Sequence, residues 1–282
     1  MSRKNPSSLD YETLLHELAL KSWRRSLLEG DLARATQNAE KLAQSRDRFW
    51  RWQGFLDLAV TCLCRGRGRE AREALESAKA CFREVPGLLA PAFEIEAHYW
   101  LETGRPHRTI EVARAAPAAT PLLHYFSGLA SARLSDPDGS ALAARELAQS
   151  GAPLAAALSR HVAAETDPAR AVEQLAEAEG SLGDPVPSNE GILIRFALAA
   201  ALVERGETER ALALFDLLLR DPEALLFWPI PFIRALFFRG RIRALRGDPT
   251  GASDDGKRFL ACWGTGDIDR ERVEESRQWV KA

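Results

Sequence analysis

Apolar residues recur along this chain at the spacing of one helix face, and short polar turns interrupt them at near-regular intervals. Leu32, Ala35, Ala39 and Leu42 form one stripe, and Ala71, Leu75, Ala78 and Phe82 form another. A third runs through Ala211, Leu214, Phe215, Leu218 and Leu219, and the segment 192–204 before it is apolar nearly all round. Such a segment predicts a helix covered on both sides. Turn signals at Gly30-Asp31, Gly66, Gly104, Asp136-Pro137, Thr166-Asp167, Gly206-Glu207 and Gly247-Asp248 recur about every 36 residues, room for two helices and two turns. The pattern predicts seven antiparallel helical hairpins stacked in an array.

Helices approach closely only where a small side chain admits the neighbour, so a real repeat shares a size constraint at fixed offset. Five residues after the turn anchors stand Ala35, Ala71, Thr109, Ala141, Ala171, Ala211 and Ala252. Seven residues before them stand Trp23, Ala59, Ala97, Leu129, Ser159, Ala199 and Gly240, a mostly small set expected to face those alanines. Prolines at Pro86, Pro117, Pro121, Pro153, Asp184-Pro185, Pro187, Asp221-Pro222 and Pro229 fall between hairpins, where proline ends one helix or opens the next.

A small residue late in the first helix, a turn glycine, an alanine five residues on and a proline near the end resemble the tetratricopeptide repeat (TPR). The resemblance implies an all-α solenoid, a right-handed superhelix, over residues 10–261, with a tail at 1–9 and a capping helix and tail at 262–282. The aromatic that the family places three residues after the small helix-A position occurs once, as Trp100, against Ser26, Cys62, Ala132, Val162, Leu202 and Arg243 elsewhere. The C-terminal quarter, with Pro229-Ile230-Pro231, Gly240-Arg241, Gly247-Asp248, Phe259-Leu260, Trp263, Asp267 and Asp269, resembles the last repeat of TPR regions in bacterial multi-domain signalling proteins, eukaryotic-type Ser/Thr kinases among them. No kinase glycine loop, His-Arg-Asp loop or Asp-Phe-Gly accompanies it.

Composition agrees with helices: 46 alanines stand against 27 Val, Ile and Thr together. The 38 basic and 40 acidic residues nearly cancel, which argues against direct nucleic-acid binding. The apolar stretches 191–203 and 224–238 are interrupted by Arg195, Pro229, Pro231 and Arg234 and predict no membrane insertion. A polar N-terminus and four cysteines (Cys62, Cys64, Cys81, Cys262) suit a cytoplasmic protein.

Three local patterns mimic chemistry and fail. His16-Glu17 opens like a zinc-protease helix, but Leu20 stands where the second histidine belongs. Gly251 to Lys257 fit a phosphate loop until Arg258 replaces its Ser or Thr, and Asp254 and Asp255 inside it repel phosphate. Cys62, Cys64 and Cys81 lack a fourth ligand at zinc-site spacing. No catalytic residue, metal or cofactor is predicted.

If the first helices line a concave surface, its early part carries Glu17, Arg24, Gln53, Glu94, His98 and Glu102, mixed in charge. The later part carries Arg133, Arg160, Phe196, Arg234, Phe237 and Arg241. Guanidinium beside aromatic rings suits an acidic or phosphorylated segment of a protein partner. The expected role is therefore a non-catalytic scaffold in signalling or complex assembly, with self-association, for which Trp50 and Trp52 are the candidate contacts, as a further expectation. The alternatives are an accessory regulator of transcription acting through a partner domain and a helical enzyme with an unrecognised pocket.

Overall fold

The computed structural model of the chain describes residues 8–152, 154–182 and 189–281. The turns expected at Pro153, Asp184-Pro185 and Pro187, and residues 1–7 of the expected tail, lie outside the described residues. Regular structure among the described residues is helical throughout. Seven hairpins follow one another: α1 (Ser8–Leu28) with α2 (Leu32–Ala43), α3 (Arg48–Cys64) with α4 (Gly68–Cys81), α5 (Pro86–Glu102) with α6 (Pro106–Ala115), and α7 (Pro121–Arg133) with α8 (Pro137–Gln149). They continue with α9 (Ala155–Thr166) and α10 (Ala171–Gly180), then α11 (Asn189–Glu204) and α12 (Thr208–Arg220). A four-residue helix α13 (Ala224–Phe227) precedes the last hairpin, α14 (Pro229–Leu245) with α15 (Pro249–Trp263), and α16 (Arg270–Lys281) packs on that hairpin. The chain is an all-α solenoid.

One turn chemistry ends the first helix of six hairpins. The second residue after each helix adopts positive φ: Gly30, Gly66, Gly104, Ser135, Gly206 and Gly247. The next amide then reaches back five residues, as in Asp31 N–H to Ser26 O at 2.8 Å and Asp248 N–H to Arg243 O at 2.9 Å, satisfying carbonyls that the helix end leaves free. Asp31, Asp136 and Asp248 then cap the second helix by accepting from the backbone N–H three residues on.

This geometry corrects the alignment of the fourth hairpin. Its left-handed residue is Ser135, so the close-packing position five residues later is Ser140, 4% exposed, while Ala141 faces solvent. Gly128 takes the facing place, where an added Cβ would lie 3.0 Å from the Ala143 and Val162 side chains. Thr109 and Ser140, the two hydroxyl residues in the column, both donate to the carbonyl twelve residues earlier, Ala97 O at 3.2 Å and Gly128 O at 3.3 Å. A buried hydroxyl thus keeps a partner where alanine needs none. The fifth hairpin turns instead through a 3-10 segment, Pro168–Arg170, and Val172 is buried there in place of Ala171. The other members of the column, Ala35, Ala71, Ala211 and Ala252, are at most 1% exposed.

The solenoid closes on itself. In a linear array each repeat touches its neighbours alone, but here α14 packs on α3, and the stretch after α15 meets the turn after α3. Trp263 Nε1 donates to Leu63 O at 3.0 Å, and Gly66 O accepts from the amides of Asp267 (2.7 Å) and Ile268 (3.2 Å). A Cβ on Gly266 would lie 2.5 Å from Gly66 O, so glycine is required for the approach. Arg67 precedes α4 without capping it; the Asp267 carboxylate accepts from Gly68 N–H at 2.7 Å and caps the helix from 199 residues away.

Candidate functional site

The helices against which α13 packs, α1, α3, α11 and α14, are all first helices of their hairpins, and the hollow they surround is partly filled by the chain itself. Arg24 of α1 pairs with Glu223 at 2.7 Å, and the His98 ring of α5 meets Trp228 edge-on at 4.8 Å. Two expected early-groove positions therefore already hold the 223–228 segment. Glu94 accepts from the Thr120 hydroxyl at 2.6 Å, and Gln53 donates to Asp57 at 2.8 Å.

Beyond this segment lies a cavity of roughly 540 Å³, walled by α5, α7, α9, α10, α11, α14 and Arg272 of α16. Its apolar wall includes Phe126, Phe196 and Phe238, and Ala197, Ala200 and Ala201 of α11 keep it open. Its polar wall carries His98, Tyr125 and His161 beside an ionic network. Arg234 joins the Glu102 carboxylate and Glu102 O to both oxygens of Asp269, at 2.7 and 2.9 Å for the latter. Arg133 donates to Glu165 at 2.5 Å and to Leu101 O at 2.9 Å, and Arg272 pairs with Asp269. Burial opposes ionisation of Glu102 and Asp269, yet the guanidiniums beside them hold both carboxyls below their ordinary values.

The two histidines are neutral at pH 7, because burial pushes each down to about 4. His98 is 3% exposed, and among the described residues neither its Nε2 nor Nε1 of the adjacent Trp228 has a hydrogen-bond partner. Burial holds the Tyr125 phenol well above its ordinary value, so it stays protonated and shares a 2.6 Å hydrogen bond with His161 Nδ1.

The six later-groove residues divide by environment. Arg133 and Phe196 line the cavity, partly exposed. Arg234 also lines it, but its side chain is 8% exposed and fully engaged. Phe237 is 1% exposed and packs against Phe259 and Trp279, behind the wall. Arg160 and Arg241 sit half-exposed, with loose partners Glu177 at 3.8 Å and Glu275 at 3.3 Å. Sequence reasoning missed Tyr125, His161 and Asp269 as members of one cluster; a polar residue on a first helix reads the same whether it meets water or a partner helix.

The three mimicking patterns resolve into packing. His16 Nε2 bonds the Ser45 hydroxyl at 3.0 Å. Gly251 to Lys257 are helical, and the buried Asp255 there accepts from Arg239 and Arg243. Cys62 and Cys64 belong to the main core and Cys81 to a separate cluster, while burial pushes the Cys62 thiol up to about 12. Trp52 is 7% exposed and stacks near Phe49 and Phe82.

No family model matches the sequence, and no curated protein does. Solved structures do superpose. The Cut9–Hcn1 hetero-tetramer of the APC/C aligns over 90% of this chain and 48% of that one, at 14% identity and TM-score 0.48. A tetratricopeptide repeat protein from Parabacteroides merdae aligns over 95% of this chain and 99% of its own, at 13% identity and TM-score 0.47. The P58(IPK) TPR domain aligns over 94% and 98%, at 12% identity and TM-score 0.32. The chain spans about half the length of the first of these. The solenoid fold stands on the helix pairs and turns described above.

Proposed function

We propose that the chain is a TPR-like, non-catalytic scaffold that holds a protein partner at its hollow, in the cytoplasm and within bacterial signalling or complex assembly. The supporting observation is that the first helices already hold a short helical segment, 223–228, by an ion pair and an aromatic contact. A partner segment docks by the same means at the first-helix arginines Arg160 and Arg241, which are half-exposed. Their own carboxylate partners are surface pairs worth little, so an acidic or phosphorylated segment displaces them at small cost. Phe196 and Arg133 take the partner's apolar and polar groups at the mouth, and the buried Arg234 and Phe237 fix the wall behind. The signalling context rests on the sequence resemblance of the C-terminal quarter.

Photo-crosslinking residues placed at 160 and 241, with position 145 on α8 as a control, test this in the native cell. The expected result is one shared protein adduct at 160 and 241, absent at 145 and lost when the partner site carries Phe196→Glu. Equal adducts at all three positions, or adducts indifferent to Phe196→Glu, remove the reading.

A further inference from the structure

The cavity has a chemistry of its own, independent of any protein partner. Its volume lies within the range of small-molecule sites, roughly 300–1,000 Å³. The ionic groups of its inner wall are mutually satisfied: Glu102, Glu165 and Asp269 pair with Arg133, Arg234 and Arg272, while Arg205 pairs with Glu173 and Glu207 and the exposed Glu204 of α11 also lines the cavity. An anionic ligand entering this space meets guanidiniums that are already paired and disturbs pairs that are costly to break when buried. The inner wall offers instead neutral groups. Among the described residues His98 Nε2 is buried without a partner, and His161, whose Nδ1 is held by the Tyr125 hydroxyl, lines the same cavity. Buried polar atoms are almost always hydrogen-bonded, so the unpartnered His98 nitrogen beside this cavity calls for a polar atom there. Opposite them the aromatic wall and the alanines of α11 leave room for a flat apolar body.

We infer that this cavity binds an uncharged small molecule with an apolar ring or chain and a carbonyl or hydroxyl oxygen directed at His98 and His161. Walls from six hairpin helices and α16 meet there, and an occupant bridges the closed ring.

Two isosteric probes separate charge from shape: 2-acetonaphthone, a neutral ketone, and 2-naphthoate, its anionic counterpart. Titrated against the full chain and followed by saturation-transfer NMR, the ketone should bind at one site, at least ten-fold more tightly than the carboxylate. His98→Phe, which keeps the ring contact with Trp228 but removes both nitrogens, should weaken the ketone about ten-fold and leave the carboxylate unchanged. Ala200→Phe should abolish binding of both. Hydrogen exchange on the unaltered protein provides a readout that needs no variant: the ketone should slow exchange in α7, α9 and α11 and leave α1 unaffected. Leu14→Glu with Leu18→Glu, which breaks the exposed apolar face of α1, should change nothing. Equal affinity for the two probes, no ketone binding, protection confined to α1, or binding lost in the Leu14/Leu18 variant overturns the inference.

Discussion

Single buried charges carry consequences that their helices hide. Asp57, on α3, is 2% exposed, accepts one hydrogen bond from Gln53 and leaves its second oxygen without a partner. Burial pushes its carboxyl up to about 7, the Gln53 bond pulling the other way. Between pH 4 and 7 the folded chain therefore holds a proton that the unfolded chain releases, and stability is lost as pH rises through 7. His98 and His161 act with the opposite sign, since the unfolded chain takes up protons below about 6.5 that the folded chain refuses until about 4. Asp57→Asn is thus expected to raise unfolding free energy at pH 8 by about 2–4 kcal/mol, to give no gain at pH 4, and to steepen the acid loss that the histidines cause. Urea unfolding of both proteins at pH 4.5, 6 and 8 checks this, and an advantage that does not vary with pH contradicts it. None of this was legible in the sequence: Asp57 sits among Leu56, Leu58 and Ala59 without any local sign of whether it faces water or the core.

At the level of helices and turns the sequence is far more readable, because the forces that set a hairpin act within about 36 residues. The turn glycines, the small column and the seven hairpins all follow from local spacing. The misplaced fourth unit has a local cause as well. Ser135 takes the left-handed conformation that glycine holds elsewhere, so the visible Asp136-Pro137 signal stands one residue late. Two turn glycines that look identical in sequence differ in their surroundings. Gly30 has φ +79 and open space around a would-be Cβ, whereas at Gly66, φ +67, that Cβ would lie 3.0 Å from Trp263 Cδ1 and 3.3 Å from Gly266 Cα. Gly30→Ala should cost about 1 kcal/mol of left-handed strain. Gly66→Ala adds a clash at the closure and should cost at least about 2 kcal/mol more, a difference that paired thermal melts resolve.

Closure is a property of the whole molecule, and it is the part that the sequence conceals. The contacts that make it lie 132 residues apart, Arg234 to Glu102, and 200 apart, Trp263 to Leu63, and they exist only because the summed rotation of five hairpins brings the seventh beside the second. The arginine read as a ligand group for a partner is for that reason an internal strut. An open array of hairpins unfolds piecewise, with each repeat stabilised by its neighbours; a closed one ties distant hairpins into the same cooperative unit. Trp263→Ala distinguishes the two. Trp263 is fully buried, meets Phe259 edge-on and donates to Leu63 O, and its ring supports the Gly66 turn whose carbonyl holds Asp267 and Ile268. Removing it takes away the hydrogen bond and most of the apolar contact across the seam, and with them the Asp267 cap on α4. In an open array, faster amide exchange would stay within α14, α15 and α16. Here the amides at the end of α3 and the start of α4, residues 62–71, should lose protection by about as much as those of α15, while α7 and α8, remote from the seam, should change least. Hydrogen exchange followed by mass spectrometry reads all three regions in one experiment, and undisturbed protection at 62–71 would show that the ring is held elsewhere.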